Sequence, residues 1–263
     1  MAITGAAELL ATWEAGLAEA QTGRALLLHR TARPDVDAAS LPVLPVGERE
    51  ADLFTLRRAL FGERMQVRLA CSACGEDMEF DLDAGEFARS LGVRGASGRG
   101  PGGSADGGGS SAGLVAGSVV RVRQDGWDVE FRLPGVADLT AAARAADPRA
   151  ALLARCLVSA ARDGAAVSAG DLPVPVQRRI AEAVEAADPG ADVTLNIACP
   201  ECGEATRAEL DIASYLWTEL DAWARDLLLD VHLLATSYGW SEPEILALSP
   251  LRRRYYLELC ADV

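Results

Sequence analysis

Apolar residues recur along the chain in two rhythms, steps of three and four in some stretches and strict alternation in others, which predicts helices and half-buried strands respectively. Residues 6–20, with Leu9, Leu10, Trp13 and Leu17, read as a first helix, and a short apolar segment follows at Ala25–His29. Leu41-Pro42-Val43-Leu44-Pro45 reads as an extended connection, because residues before proline avoid the helical region. A third helix is predicted over Glu48–Phe61, with Leu53, Leu56 and Leu60 on one face and Gly62 at its end.

From Met65 the rhythm becomes two. Met65, Val67 and Leu69 alternate into Cys71-Ser72-Ala73-Cys74-Gly75, and Met78–Leu82 alternates again before a short helix at Ala84–Leu91. In residues 92–117, 11 of 26 positions are glycine, too little apolar surface to offset ordering, so 92–118 reads as a disordered linker. Its matches to GxGxxG (98–103) and GxSxG (109–113) lack the strand-to-helix context that gives those patterns meaning. Val119–Arg123 and Trp127–Arg132 flank Gln124-Asp125-Gly126 as a hairpin. Helices are predicted at 136–146, 148–161 and 174–187, with Asp147-Pro148 starting the second and Asp188-Pro189-Gly190 stopping the third. Val193, Leu195 and Ile197 then alternate into Cys199-Pro200-Glu201-Cys202-Gly203 and a further strand.

The two cysteine pairs form an internal repeat. Residues 67–76 align with 195–204, and Leu82-Asp83 with Leu210-Asp211, at one offset of 128 positions. In a CxxCG knuckle, backbone amides turn toward thiolate sulfur and the glycine allows the left-handed turn that brings both sulfurs to one side. Cys71, Cys74, Cys199 and Cys202 are therefore the expected ligands of one structural Zn(II), a split zinc ribbon whose halves are separated by 124 residues. Two local disulfides, a site that has lost its metal, a thioredoxin-like redox pair and an iron–sulfur cluster are the alternatives. Cys156 reads as a small core residue and Cys260 as structural or inert.

Composition narrows the function. The chain of 263 residues has 25 basic and 39 acidic side chains, a net charge of −14, which opposes phosphate tracking as its main task. Every basic residue is arginine, so there is no phosphate-loop or Schiff-base lysine; the two histidines, His29 and His232, lack triad or metal spacing. No apolar run spans a bilayer and the start lacks a signal peptide's basic residues, so a cytoplasmic, non-enzymatic protein is expected.

Residues 212–238 carry the longest helical pattern, from Ile212 through Leu216, Leu220, Trp223, Leu227, Val231 and Leu234 to Tyr238, a seam about 40 Å long. Gly239 ends it; Ser241-Glu242-Pro243-Glu244 and Ser249-Pro250 open two further helices. His232–Ala235, Tyr238–Leu248 and Arg253–Leu257, together with Leu44–Glu50, Leu56-Arg57, Leu60–Gly62, the paired CxxCG units and Phe131–Pro134, resemble the T4-type baseplate hub assembly chaperone family of contractile phage tails and phage-tail-like contractile injection systems. The resemblance covers most of the chain outside the glycine-rich stretch. It implies an assembly factor or baseplate-associated component, with hub and baseplate proteins as partners and no catalytic residues.

The expected fold is thus α+β and mostly helical. It comprises N-terminal helices (1–63), two ribbon halves (64–91 and 192–211), the linker (92–118), a hairpin with central helices (119–191) and a C-terminal helical docking segment (212–263). Trp223, Trp240, Arg252, Arg253, Arg254, Tyr255 and Tyr256 are the expected partner-binding residues, aromatic and arginine side chains being favoured anchors. The competing reading is a zinc-ribbon regulatory module that binds nucleic acid through Arg252–Arg254.

Overall fold

The structure, a computed structural model, describes residues 5–90 and 119–261. The predicted glycine-rich linker and its two accidental motifs lie outside the described residues. In chain order the elements are α1 (Ala6–Leu17), α2 (Gln21–Ala32), α3 (Val46–Phe61), β1 (Arg64–Ala70), β2 (Asp77–Asp83), α4 (Ala84–Ser90), β3 (Val119–Gln124), β4 (Trp127–Arg132), α5 (Val136–Ala143), α6 (Pro148–Cys156), β5 (Leu157–Arg162), β6 (Ala165–Ala166), α7 (Val174–Ala187), β7 (Thr194–Ala198), β8 (Ala205–Glu209), α8 (Ile212–Tyr238), α9 (Glu242–Leu246) and α10 (Pro250–Ala261). The chain is α+β and mostly helical, and it divides into two units, 1–32 with 211–263 and 33–210.

The first unit is helical. Asp211 caps α8 by accepting from the Ser214 N–H, and the seam Ile212, Leu216, Leu220, Leu227, Val231 and Leu234 is buried along its whole length. α1 and α2 cover the first half of that seam. Gly16 permits the closest approach, since a Cβ there would run into the Trp217 ring. Arg24 lies over the same ring at 4.8 Å, and the Trp13 indole donates to Asp221 at 2.8 Å. At the other end, Val231, Leu234 and Ile245 form a small core with Trp240, Leu257 and Tyr256. No helix among the described residues is long and apolar enough to cross a membrane.

The second unit holds a four-stranded antiparallel sheet, β3-β4-β5-β6, and two separate two-stranded sheets, β1-β2 and β7-β8. Val122, Trp127, Val129 and Phe131 of the first hairpin pack with Leu172, Val176 and Ile180, which anchors α7 on the sheet. One predicted helix is corrected here. The segment 148–161 is helical only to Cys156; Leu157–Arg162 pairs with β4 as a strand, and Asp163-Gly164, both with positive φ, turns it into β6. An aspartate–glycine hairpin turn is a local signal for this ending. Periodicity did not show it because Leu157 and Ala160 suit either rhythm; the free edge of β4 decides. Residues 41–43 also differ, forming a 3-10 turn started by Pro42 rather than an extended connection.

Two buried ionic groups stiffen this unit. The Arg57 guanidinium, 2% exposed, donates to the carbonyls of Gly62 and Arg64 and so holds the entry to β1. Asp138 accepts from Arg132, Arg155 and the Gly135 N–H; burial pushes its carboxyl up, but these donors outweigh it and hold it below the usual carboxylate range.

Candidate metal centre

Each cysteine pair sits at the tip of a two-stranded hairpin, β1-β2 or β7-β8. Alternation turns Met65 and Val67 inward on β1 and Leu195 inward on β7, leaving polar neighbours on the other face. The two tips are built alike. Cys71 N–H donates to Glu76 O at 2.7 Å and Gly75 N–H to Cys71 O at 2.9 Å; Cys199 N–H donates to Glu204 O and Gly203 N–H to Cys199 O, both at 2.9 Å. Gly75 and Gly203 take left-handed φ values of 77° and 74°, which any Cβ would strain, so the glycine after each second cysteine is needed for the turn itself.

The two tips meet. The sulfurs of Cys71 and Cys202 are 3.6 Å apart, those of Cys74 and Cys199 are 3.7 Å apart, and all four lie within 4.8 Å of one another. The first cysteine of each pair is buried and the second exposed. Met78, Leu69 and Ile197 pack beside the buried pair and shield it from one side. Four zinc–sulfur bonds of 2.3 Å in tetrahedral array place sulfurs about 3.8 Å apart, so the cluster has the size and the soft donor set of a closed four-thiolate site.

Electrostatics within the cluster is uneven. Backbone N–H groups of Cys74 and Ala73, aided by the Thr206 hydroxyl, lower the Cys71 thiol to about 6. At Cys74 the Glu76 N–H favours the thiolate, but the neighbouring sulfurs of Cys71, Cys202 and Cys199, with burial, outweigh it and push the thiol up to about 12. Cys202 is raised in the same way, against the Glu204 N–H. Crowded sulfurs cannot all ionise together without a cation among them, whereas a divalent metal removes that repulsion. The four cysteines are able to hold a metal ion.

Thr206 is a member of this site that the sequence reading missed. It is 5% exposed, and its hydroxyl lies 3.5 Å from the Ser72 amide of the opposite tip. The repeat carried the signal: at the 128-residue offset Thr206 stands where the first half has Met78.

The sequence model for the T4 bacteriophage base plate protein family matches residues 24–217, a span that holds both knuckles. The chain belongs to that family. No curated protein and no solved structure matches the chain. The family match ends within the first turns of α8, so the predicted partner-binding residues of this baseplate-family protein all lie beyond it.

Those seven residues fall into distinct settings. Trp240 stacks on Tyr238 at 4.6 Å and meets Tyr256 edge-on at 4.9 Å, so it and Tyr256 chiefly close the small core at the end of α8. Arg253, 8% exposed, turns inward and pairs with Asp230 at 3.3 Å. Arg254 pairs with Glu258 along its own helix, Arg252 is exposed with no ion pair among the described residues, and Trp223 is half-buried on α8. Tyr255, 60% exposed, stands with Leu251 and Leu259 on the outer side of α10.

Proposed function

We propose that this baseplate-family protein is a non-enzymatic assembly factor or resident component of a contractile, phage-tail-like injection particle, held together by a structural zinc ion and docking on hub or baseplate proteins through its C-terminal helices. The observation that carries this reading is the family match over residues 24–217, within which both cysteine pairs fall. The sulfur spacing supports zinc, since four thiolates leave no coordination position open for substrate and suit a structural role. In this reading 64–91 and 192–211 are halves of one ribbon, and the metal closes a chain loop of more than 120 residues. The segment 212–263 supplies the docking face. With Arg253 committed to Asp230 and Arg254 to Glu258, one arginine of the predicted basic cluster, Arg252, has no ion pair among the described residues, which favours a protein partner over nucleic acid.

Two measurements test it. Elemental analysis of purified protein is expected to give one zinc per chain, falling to none when Cys71 and Cys199 are both serine. Mass spectrometry of purified particles and of assembly intermediates is expected to find the protein in one or both, alongside sheath, tube and spike proteins. Absence from both removes the reading.

A further inference from the structure

We infer that the four-cysteine centre is redox-sensitive: on meeting a hydroperoxide its sulfurs form two disulfides between the tips, Cys71–Cys202 and Cys74–Cys199, and zinc is released while the two hairpins stay joined. This assigns a regulation to the centre and rests on the reading of it as a zinc site.

The sulfurs differ in access. Cys71 and Cys199, 3% and 2% exposed, lie against Met78, Leu69 and Ile197, whereas Cys74 and Cys202 are exposed. The contacts of 3.6 Å from Cys71 to Cys202 and 3.7 Å from Cys74 to Cys199 both run from one tip to the other. Each joins one exposed sulfur to one buried sulfur. An oxidant in solvent therefore reaches one member of each pair, and the other is held beside it as the resolving thiol. A disulfide sets its sulfurs about 2.05 Å apart, so each side chain moves by less than about 1 Å to close the bond.

The chemistry balances. The exposed Cys74 thiolate attacks one oxygen of hydrogen peroxide and breaks the O–O bond, which leaves a sulfenic acid on Cys74 and expels hydroxide. The Cys199 thiolate attacks the sulfenic sulfur, forms the S–S bond and expels a second hydroxide. Cys202 and Cys71 react in the same way. In all, four thiolates give four electrons to two molecules of hydrogen peroxide, which leave as four hydroxide ions. The disulfide sulfurs no longer carry the charge that holds a divalent metal.

The two bonds span 131 and 125 positions of the chain, the same loop that the metal closes. Disulfides within the tips, Cys71 with Cys74 and Cys199 with Cys202, would instead leave the hairpins untied from each other. Pairing between the tips exchanges one tie for another. A protein that passes from a reducing to an oxidising compartment then keeps its hairpins joined in both.

The test uses the full-length wild-type protein, purified under reductant and loaded with zinc. Excess hydrogen peroxide is expected to release one zinc per chain, read with a chromogenic chelator. Cleavage after arginine without reductant is then expected to yield peptides 69–89 and 180–207 as one linked species, four hydrogens lighter than their sum. Dithiothreitol with added zinc is expected to separate the peptides and restore one zinc per chain. Unlinked peptides, each two hydrogens lighter, overturn the inference, as do sulfinic acids in place of disulfides or zinc retained with the thiols intact. Cys74→Ser checks the pairing. In that variant Cys71–Cys202 is expected to form and Cys199 to stay a thiol; a bond from Cys199 to Cys71 or Cys202 overturns the inference. Fragmentation of the linked wild-type peptides gives the same assignment should the variant not fold. Protein that takes up no zinc before peroxide removes the zinc reading and this inference with it. One zinc per chain before peroxide and no link after it removes this inference alone.

Discussion

The two cysteine hairpins are the same device built twice, and their differences are more informative than their likeness. The register is conserved position by position: Leu69 faces Met78 as Ile197 faces Thr206, and Ala70 faces Asp77 as Ala198 faces Ala205, all at the 128-residue offset. The likeness extends past the strands. Asp83 accepts from the Glu86 N–H at 2.7 Å and Asp211 from the Ser214 N–H at 3.1 Å, so each hairpin is followed by an aspartate-capped helix. Helix follows the first half through the last described residue, Ser90, and a 27-residue helix follows the second. Among the described residues, a buried arginine, Arg57, braces the entry of the first half, and a hydroxyl of the second half, Thr206, reaches the opposite tip. A repeated backbone thus carries side chains that have specialised, one half for anchorage and the other for the centre.

The largest expected effect tests the likeness. Cys71→Ser and Cys199→Ser each remove the buried ligand of one tip, and each is expected to abolish metal binding and lower stability by at least about 4 kcal/mol. Metal content and denaturant midpoints check this; a loss confined to one variant would show that the halves are not equivalent ligands. Arg57→Met is next. It removes the donor to two carbonyls at the entry of β1, with an expected cost of about 2 kcal/mol in denaturant unfolding and zinc still bound.

Gly75→Ala and Gly203→Ala sharpen the comparison further. Nothing lies within 4 Å of the added methyl at either position, so the cost is that of the left-handed backbone alone, about 1 kcal/mol and equal in the two halves. Unequal midpoints would mean that one tip is strained where the other is relaxed. The smallest effects belong to the caps, Asp83→Ala and Asp211→Ala, at about 0.5–1 kcal/mol each by thermal unfolding.

Much of this was legible in the residues because it is local. The hairpin strands, the knuckle glycines, the Asp147 and Ser249 caps and the 27-residue helix each follow from spacing within a few turns of chain, where neighbouring side chains must share a face or alternate. The C-terminal face was only partly legible. Periodicity marks Tyr255 and Tyr256 alike as apolar helical positions, yet one is exposed and the other packs against Trp240. Which side of α10 turns inward depends on Ile245 and Leu234 in other helices.

The CxxCG spacing and the 128-residue repeat singled out the four cysteines that cluster, the turn that each pair makes and the strands that carry them, since those depend on backbone sterics over fewer than ten residues. Long-range packing decided the rest. It brought the sulfurs of Cys71 and Cys202 to 3.6 Å and set Thr206 against the Ser72 amide. It also turned Leu157–Arg162 from helix to strand beside β4. Such choices turn on which unpaired edge or apolar surface the rest of the chain presents, and that information is spread over more than a hundred residues.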